Sequence, residues 1–307
     1  MPNSKEILVS ASAHLQGLSG HIFDLLTVSK PISPDAAVNL SKIVSKLSPL
    51  LGNLIEFNTI EFLNALPEFQ GIGKWIRQDP GFPDTILVGP EINPTPGFEI
   101  KAWFPLATEI TARFKDSQNH FTDDQTNVCL LAWLPDQLIF GKPYIMDVCV
   151  VSGKSVAESR DNHYHNPPDY LVLEPEDTKT RTRNLQQTNT NGYKWQGTTA
   201  QLKQAEEIVE EWGAHERVYK PTLEYQQLLR QLINRFPYRL DTNYAKIDRI
   251  VHSGIEGFKR RVQDTNIHGL TVAQWCRLLS NKSDEGIRKA LEERFNIREE
   301  QIGEFLH

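Results

Sequence analysis

Apolar residues recur at helical spacing through Val38, Leu40, Ile43, Val44, Leu47, Leu50, Leu51, Leu54 and Ile55. This pattern predicts a long helix over residues 36–66, or two helices separated near Gly52. Ser33 or Asp35 is placed to act as its N-cap, and Pro34 suits the first turn. Glycines, Trp75 and the turn-like Asp79-Pro80-Gly81 then read as a connection into a strand. Beyond it the texture becomes β. Thr85-Ile86-Leu87-Val88 is a short β-branched run, a Pro- and Gly-rich loop follows from Pro90 to Gly97, and Phe98 to Phe104 alternates. The two runs predict a hairpin with Glu99 and Lys101 on one face and Ile100 on the other.

Further elements are expected at Pro105–Phe114 (a short helix), Val128–Leu134 and Tyr144–Val151 (strands), Ser155–Arg160 (a short helix) and Tyr170–Glu174 (a strand). From about residue 200 the period returns to helical, in Leu202–Trp212, Leu223–Phe236, Tyr244–Val262, Val272–Leu279 and Asp284–Phe295. The order predicts an α/β chain of the α+β kind, divided into residues 1–200, a core with N-terminal helices, and residues 201–307, a helical region.

Composition narrows the function classes. No apolar run approaches the length that spans a bilayer, and Met-Pro-Asn-Ser-Lys-Glu leads into polar and small residues instead of a signal sequence. A cytoplasmic protein with no membrane association is expected. Cys129, Cys149 and Cys276 are widely spaced and lack paired Cys-x-x-Cys spacing, so they read as reduced packing residues. A net charge of -6 argues against indiscriminate coating of nucleic acid but leaves room for a local basic cleft.

The chemistry sits in the hairpin. Pro83-Asp84 opens one strand and Glu99-Ile100-Lys101 lies in the next, with fourteen residues between the acids. An Asp and a Glu on neighbouring strands converge on one side of a sheet. Together they offer a hard divalent cation the oxygen ligands it prefers. Lys101 points to the same face, placed to touch a scissile phosphate or to orient or deprotonate the attacking water. Such a string arises by accident in about one chain of this length in twenty, so its weight comes from both halves falling in strands. The competing reading is a half-exposed strand with a solvated Glu and Lys. A second match to the same letters, Pro168-Asp169 with Asp177-Thr178-Lys179, has only seven residues between its acids and a polar, turn-like second half. It ranks below the first.

The motif and its element order resemble the type II restriction endonucleases of the PD-(D/E)-x-K nuclease superfamily, over residues 36–175. The resemblance implies a mixed β-sheet flanked by helices. It also implies Mg²⁺-dependent hydrolysis of double-stranded DNA that leaves 5'-phosphate ends, with Mn²⁺ as a substitute ion. A homodimer on a palindromic site is implied as well, as is a cognate DNA methyltransferase acting on that site. Asp84 and Glu99 would be the metal ligands and Lys101 the water-positioning base or phosphate contact. Some members add a carboxylate from a neighbouring helix, for which Glu56, Glu61 and Glu109 are candidates.

DNA contact is expected in residues 178–203, which hold five basic and no acidic side chains. Lys179, Arg181, Arg183 and Lys194 suit phosphates or guanine, and Asn184, Gln186, Gln187, Asn189 and Asn191 suit adenine, with Tyr193 and Trp195 beside them. The bland alternative is a solvated surface loop. Lys259-Arg260-Arg261, near Lys246 and Arg249, equally fits a helix C-terminus that favours positive charge. The helices at 272–279 and 284–295 have the order of a helix-turn-helix. The second opens with Asp284 and Glu285, which favours a structural pair, and the region from 201 remains a candidate for DNA recognition or dimerisation. His163 and His165 lack companion ligands for a metal site. The other function readings are a repair or recombination nuclease on the same fold, and a DNA-binding protein without enzymatic activity.

Overall fold

The computed structural model describes residues 3–78, 81–90, 92–106, 114, 121, 125–164, 171–175, 193–213, 223–235, 247 and 250–298. It is a mixed α/β structure divided into two compact units. The first takes in residues 1–112, 121–154 and 252–307, and the second residues 113–120 and 155–251. The last helices, from residue 252 onward, belong to the first unit. Among the described residues, no helix is long and apolar enough to cross a membrane.

The first unit is built on five strands in sequential order: β1 (Lys74–Arg77), β2 (Thr85–Val88), β3 (Gly97–Trp103), β4 (Thr126–Gln137) and β5 (Phe140–Ser152). The pairs β1–β2, β2–β3 and β4–β5 are antiparallel, whereas β3–β4 is parallel, so the sheet is mixed. The hairpin expected at Thr85–Val88 and Phe98–Phe104 is present as β2 and β3. The stretch expected to be a mere connection contains the edge strand β1, with Trp75 buried and its neighbours exposed.

Three helices precede the sheet. In α1 (Ser4–Gln16), Asn3 and Glu6 form a reciprocal capping box, and Ile7, Leu8, Ala11 and Leu15 face inward. Ser33 caps α2 (Pro34–Ile43), accepting the Ala36 N–H, with Pro34 in the first turn. A 3₁₀ turn at Val44–Leu47 then separates α2 from α3 (Ser48–Ala65). The helix therefore breaks before Pro49 and not near Gly52. Proline lacks the N–H, and its ring clashes with the carbonyl four residues back. Gly52 is buried inside α3, where an added Cβ would stand 3.7 Å from the Ala102 Cβ of β3.

Alternation along β3 sends its side chains into different environments. Phe98 packs on Trp75, with ring centroids 5.5 Å apart, and Trp75 on Phe69 at 5.6 Å, beyond the end of α3. Trp103 shares the Glu99–Lys101 face and packs on Phe258 of α7 (Ser253–Asp264) at 5.8 Å. Helix α7 is held to β5 as well: Cys149 Sγ lies 3.7 Å from the Gly254 carbonyl oxygen, and Arg261 pairs with Asp147 at 2.8 Å. This helix is shorter than the expected span of Tyr244–Val262. His252 is extended, and its ring nitrogen accepts the Gly254 N–H, which starts the helix at Ser253.

Both sheet edges are covered in part. The Asn64 side chain accepts the Trp75 N–H at 2.9 Å and donates to the Trp75 carbonyl at 3.0 Å, filling the outer side of β1 as a neighbouring strand would. On the other edge, Val28 exchanges both backbone bonds with Gly141, and His21 accepts the Ile145 N–H at 2.8 Å. A short hairpin, β8 (Asn266–Ile267) and β9 (Leu270–Thr271), leads into α8 (Val272–Asn281) and α9 (Asp284–Phe295).

The second unit contains the parallel pair β6 (Leu171–Pro175) and β7 (Tyr193–Gly197). It also holds most of α4 (Gly153–Tyr164), together with α5 (Thr199–Glu211) and α6 (Leu223–Arg235). Its core gathers Leu173, Trp195, Ala205, Val209, Tyr225 and Leu232. Residues 107–113, most of the helix expected at Pro105–Phe114, lie outside the described residues.

Candidate active site

Asp84 immediately precedes β2, at the point where β2 ceases to pair with β3. The last register partners are Thr85 and Phe98, so beyond Phe98 the edge of β3 has no β2 backbone beside it. The Asp84 carboxylate takes over there, its Oδ2 accepting the Ile100 N–H at 2.7 Å. This bond places the carboxylate beside the Glu99–Lys101 face. Lys101 Nζ stands 2.9 Å from Asp84 Oδ2 and 2.8 Å from Glu99 Oε1. The three residues expected from the sequence to act together are thus gathered around one ammonium.

Gly97 makes the approach possible. A Cβ there would lie 2.6 Å from Pro83 Cγ and 2.7 Å from the Thr85 carbonyl oxygen, closer than packed atoms tolerate. It is a positioning residue that the motif letters do not mark, although its place at the end of a Pro- and Gly-rich loop signals a tight approach.

The three side chains differ in solvent contact. Those of Asp84 and Lys101 are 22% and 18% exposed, whereas Glu99 is 8% exposed. Its Oε2 is buried without a hydrogen-bond partner. Burial, aided by the Asp84 charge and opposed by Lys101, pushes the Glu99 carboxyl up to about 7. Burial alone would lower Lys101, but Glu99 and Asp84 outweigh it and hold the ammonium above its ordinary range. A buried carboxylate with a spare oxygen beside a second carboxylate is a donor set that suits a hard divalent cation. Among the described residues, no third His, Cys, Asp or Glu joins them within ligating reach.

Of the α3 carboxylates Glu56 and Glu61, it is Glu56 that lies beside Lys101. It lines a pocket of about 270 Å³ with Ser48, Gly52, Asn53, Lys101 and Ala102. Glu61 is exposed on α3, and Glu109 lies outside the described residues.

Of the expected DNA contacts, Lys179, Arg181, Arg183, Asn184, Gln186, Gln187, Asn189 and Asn191 lie outside the described residues. The backbones of Tyr193 and Lys194 belong to β7, with their side chains outside the description, and Trp195 is buried in the second unit's core. The weaker motif match at Asp169 and Asp177, and the side chains of His163 and His165, also lie outside it. In the second basic cluster, Lys259 pairs with Glu256 at 3.1 Å and Arg261 with Asp147. Helix α9 is engaged by α2, through Lys42–Asp284 at 2.7 Å and an Arg288–Asp35 ion pair. All three cysteines are free, and burial holds Cys129 and Cys149 far above the range in which a thiolate forms at neutral pH.

Neither a family model, nor a curated protein, nor a solved structure matches this chain.

Proposed function

We infer that the protein is a divalent-metal-dependent DNA endonuclease, a phosphodiester hydrolase of the PD-(D/E)-x-K kind, and that it serves as the nuclease of a restriction system. The observation that carries this reading is the convergence of Asp84, Glu99 and Lys101 on one strand edge, with Glu99 buried and one of its oxygens unpartnered. A buried charge at such a cost is more readily understood as part of a site than as surface decoration.

Asp84 and Glu99 would hold Mg²⁺ or Mn²⁺ through their carboxylate oxygens. When bound, the cation supplies Lewis-acid stabilisation of charge developing on a phosphoryl oxygen. Asp84 is fixed for this task by the Ile100 N–H, which orients its carboxylate. Lys101 is held as an ammonium by its two acidic neighbours. That state supports a role as donor to a scissile phosphate and as anchor of the attacking water, in preference to a proton-abstracting base.

DNA enters this reading through the motif and through the basic, Asn- and Gln-rich stretch at residues 178–203. A homodimer would meet a palindromic site by two-fold symmetry. A methyltransferase of the same specificity would protect the host DNA. The test is incubation of supercoiled plasmid with the protein and Mg²⁺. Linear or nicked product that disappears with EDTA and in Glu99→Gln protein supports the reading, and intact plasmid with both Mg²⁺ and Mn²⁺ overturns it.

A further inference from the structure

Lys101 occupies the place that a bound dication would need. Its Nζ contacts Asp84 Oδ2 at 2.9 Å and Glu99 Oε1 at 2.8 Å, so one nitrogen holds both carboxylates. Magnesium takes such oxygens at about 2.0–2.1 Å. Two cations do not share the point between one pair of carboxylates. Lys101 also borders the α3 pocket of about 270 Å³, whose wall includes Glu56. The edge of β3 carries no β2 backbone at this level.

We propose that Lys101 is an exchangeable counter-ion: it yields its place between Asp84 and Glu99 to a divalent cation and moves into the α3 pocket, where the Glu56 carboxylate receives its ammonium. The inference rests on the metal-dependent reading above. Charge supports it. Without the ion, the ammonium offsets part of the charge of two carboxylates. With the ion, a dication takes over that task at Asp84 and Glu99. Glu56 is then a positioning residue, acting on ion affinity through Lys101 and not as a ligand. Lys101 leaves the two carboxylates only in the ion-loaded protein, which couples its position to the metal.

A thermodynamic cycle on the full chain without DNA tests this. Mn²⁺ is titrated calorimetrically into wild type, Lys101→Met, Glu56→Gln and the double variant. Lys101→Met is expected to bind Mn²⁺ about ten-fold more tightly. Glu56→Gln is expected to bind it several-fold more weakly, and the double variant is expected to match Lys101→Met. A Lys101→Met affinity no tighter than wild type overturns the exchange. So does a Glu56→Gln weakening that persists unchanged in the Lys101→Met background, which would mean that Glu56 acts on the ion by its charge alone.

A second measurement needs no variant. Reductive methylation of wild-type Lys101, followed by mass spectrometry, is expected to speed up several-fold when Mn²⁺ is added. Mn²⁺ binding with no gain in Lys101 labelling overturns the exchange and leaves the metal site standing. Absence of Mn²⁺ binding by wild type overturns both.

Discussion

Asp84 Oδ2 accepts the Ile100 N–H at 2.7 Å, so a side chain supplies the rung at the level where β2 stops pairing with β3. The same oxygen receives the Lys101 ammonium at 2.9 Å. One atom thus serves both the sheet and the site, and the two duties separate by mutation. Asp84→Asn keeps an oxygen for the Ile100 N–H, whereas Asp84→Ala strands that donor in a part-buried place. Asp84→Ala is expected to be less stable than Asp84→Asn by about 1–3 kcal/mol in denaturant unfolding, while both lose nuclease activity. Equal stability of the two variants would mean that the bond contributes nothing to the fold.

Gly97 carries a second expectation. An added methyl would meet Pro83 and the Thr85 backbone, which cannot rotate away as a flexible side chain would. Gly97→Ala is expected to cost about 1–3 kcal/mol of stability and to lower activity by spreading Asp84 from Glu99. Urea unfolding and plasmid cleavage check the two halves, and a wild-type midpoint with wild-type cleavage contradicts the close approach.

The buried carboxyl of Glu99 sets a pH dependence. Its proton is held up to about 7, against an ordinary value of 4.5 in the unfolded chain, so between those limits the folded state binds more protons. Stability from this group is therefore greatest below pH 4.5 and falls as pH rises through 7, by roughly 3 kcal/mol at most. Glu99→Gln cannot ionise. Relative to wild type it is expected to be more stable at pH 8 than at pH 5, in guanidinium unfolding without divalent ions. Parallel stability curves for the two proteins would contradict the burial argument. Because the carboxylate must lose its proton to take a cation, Mg²⁺ affinity of wild type is expected to rise over the same window.

Much of this arrangement was legible in the sequence. Alternation over Phe98–Phe104 placed Glu99 and Lys101 on one face, and the helical period placed α9 at Asp284–Phe295. Other features were not legible, for physical reasons. β1 is three-quarters exposed, and only Trp75 betrays it. β7 lies in polar sequence because its place depends on pairing with β6 and on the burial of Trp195. α1 has small and polar residues among its inward positions, including Ala11 and Ser4, which blunt the apolar signal. The return of α7 to the sheet rests on partners such as Asp147 and Arg261, too far apart in the chain to leave a local signature. Among the acids of α3, Glu56 is marked only once Gly52 is known to face β3. The two are one turn apart on the same helix side, and Glu61 is not.

The outer side of β1 gives a further test. Asn64 satisfies both backbone groups of Trp75, so Asn64→Leu is expected to lose about 1–2 kcal/mol and to expose a pairing edge. Unfolding and light scattering report the two effects. A variant as stable and as monodisperse as wild type would show that the amide is dispensable.

The central claim is that Asp84, Glu99 and Lys101 form the site of a specific DNA-cutting enzyme. Its most direct measurement is digestion of long unmethylated phage DNA with Mg²⁺, run beside Lys101→Ala protein and an EDTA control. Discrete fragments with 5'-phosphate ends, absent from both controls, are the expected result. Uncut DNA with every divalent ion tried, or cutting that Lys101→Ala leaves undiminished, would contradict the assignment.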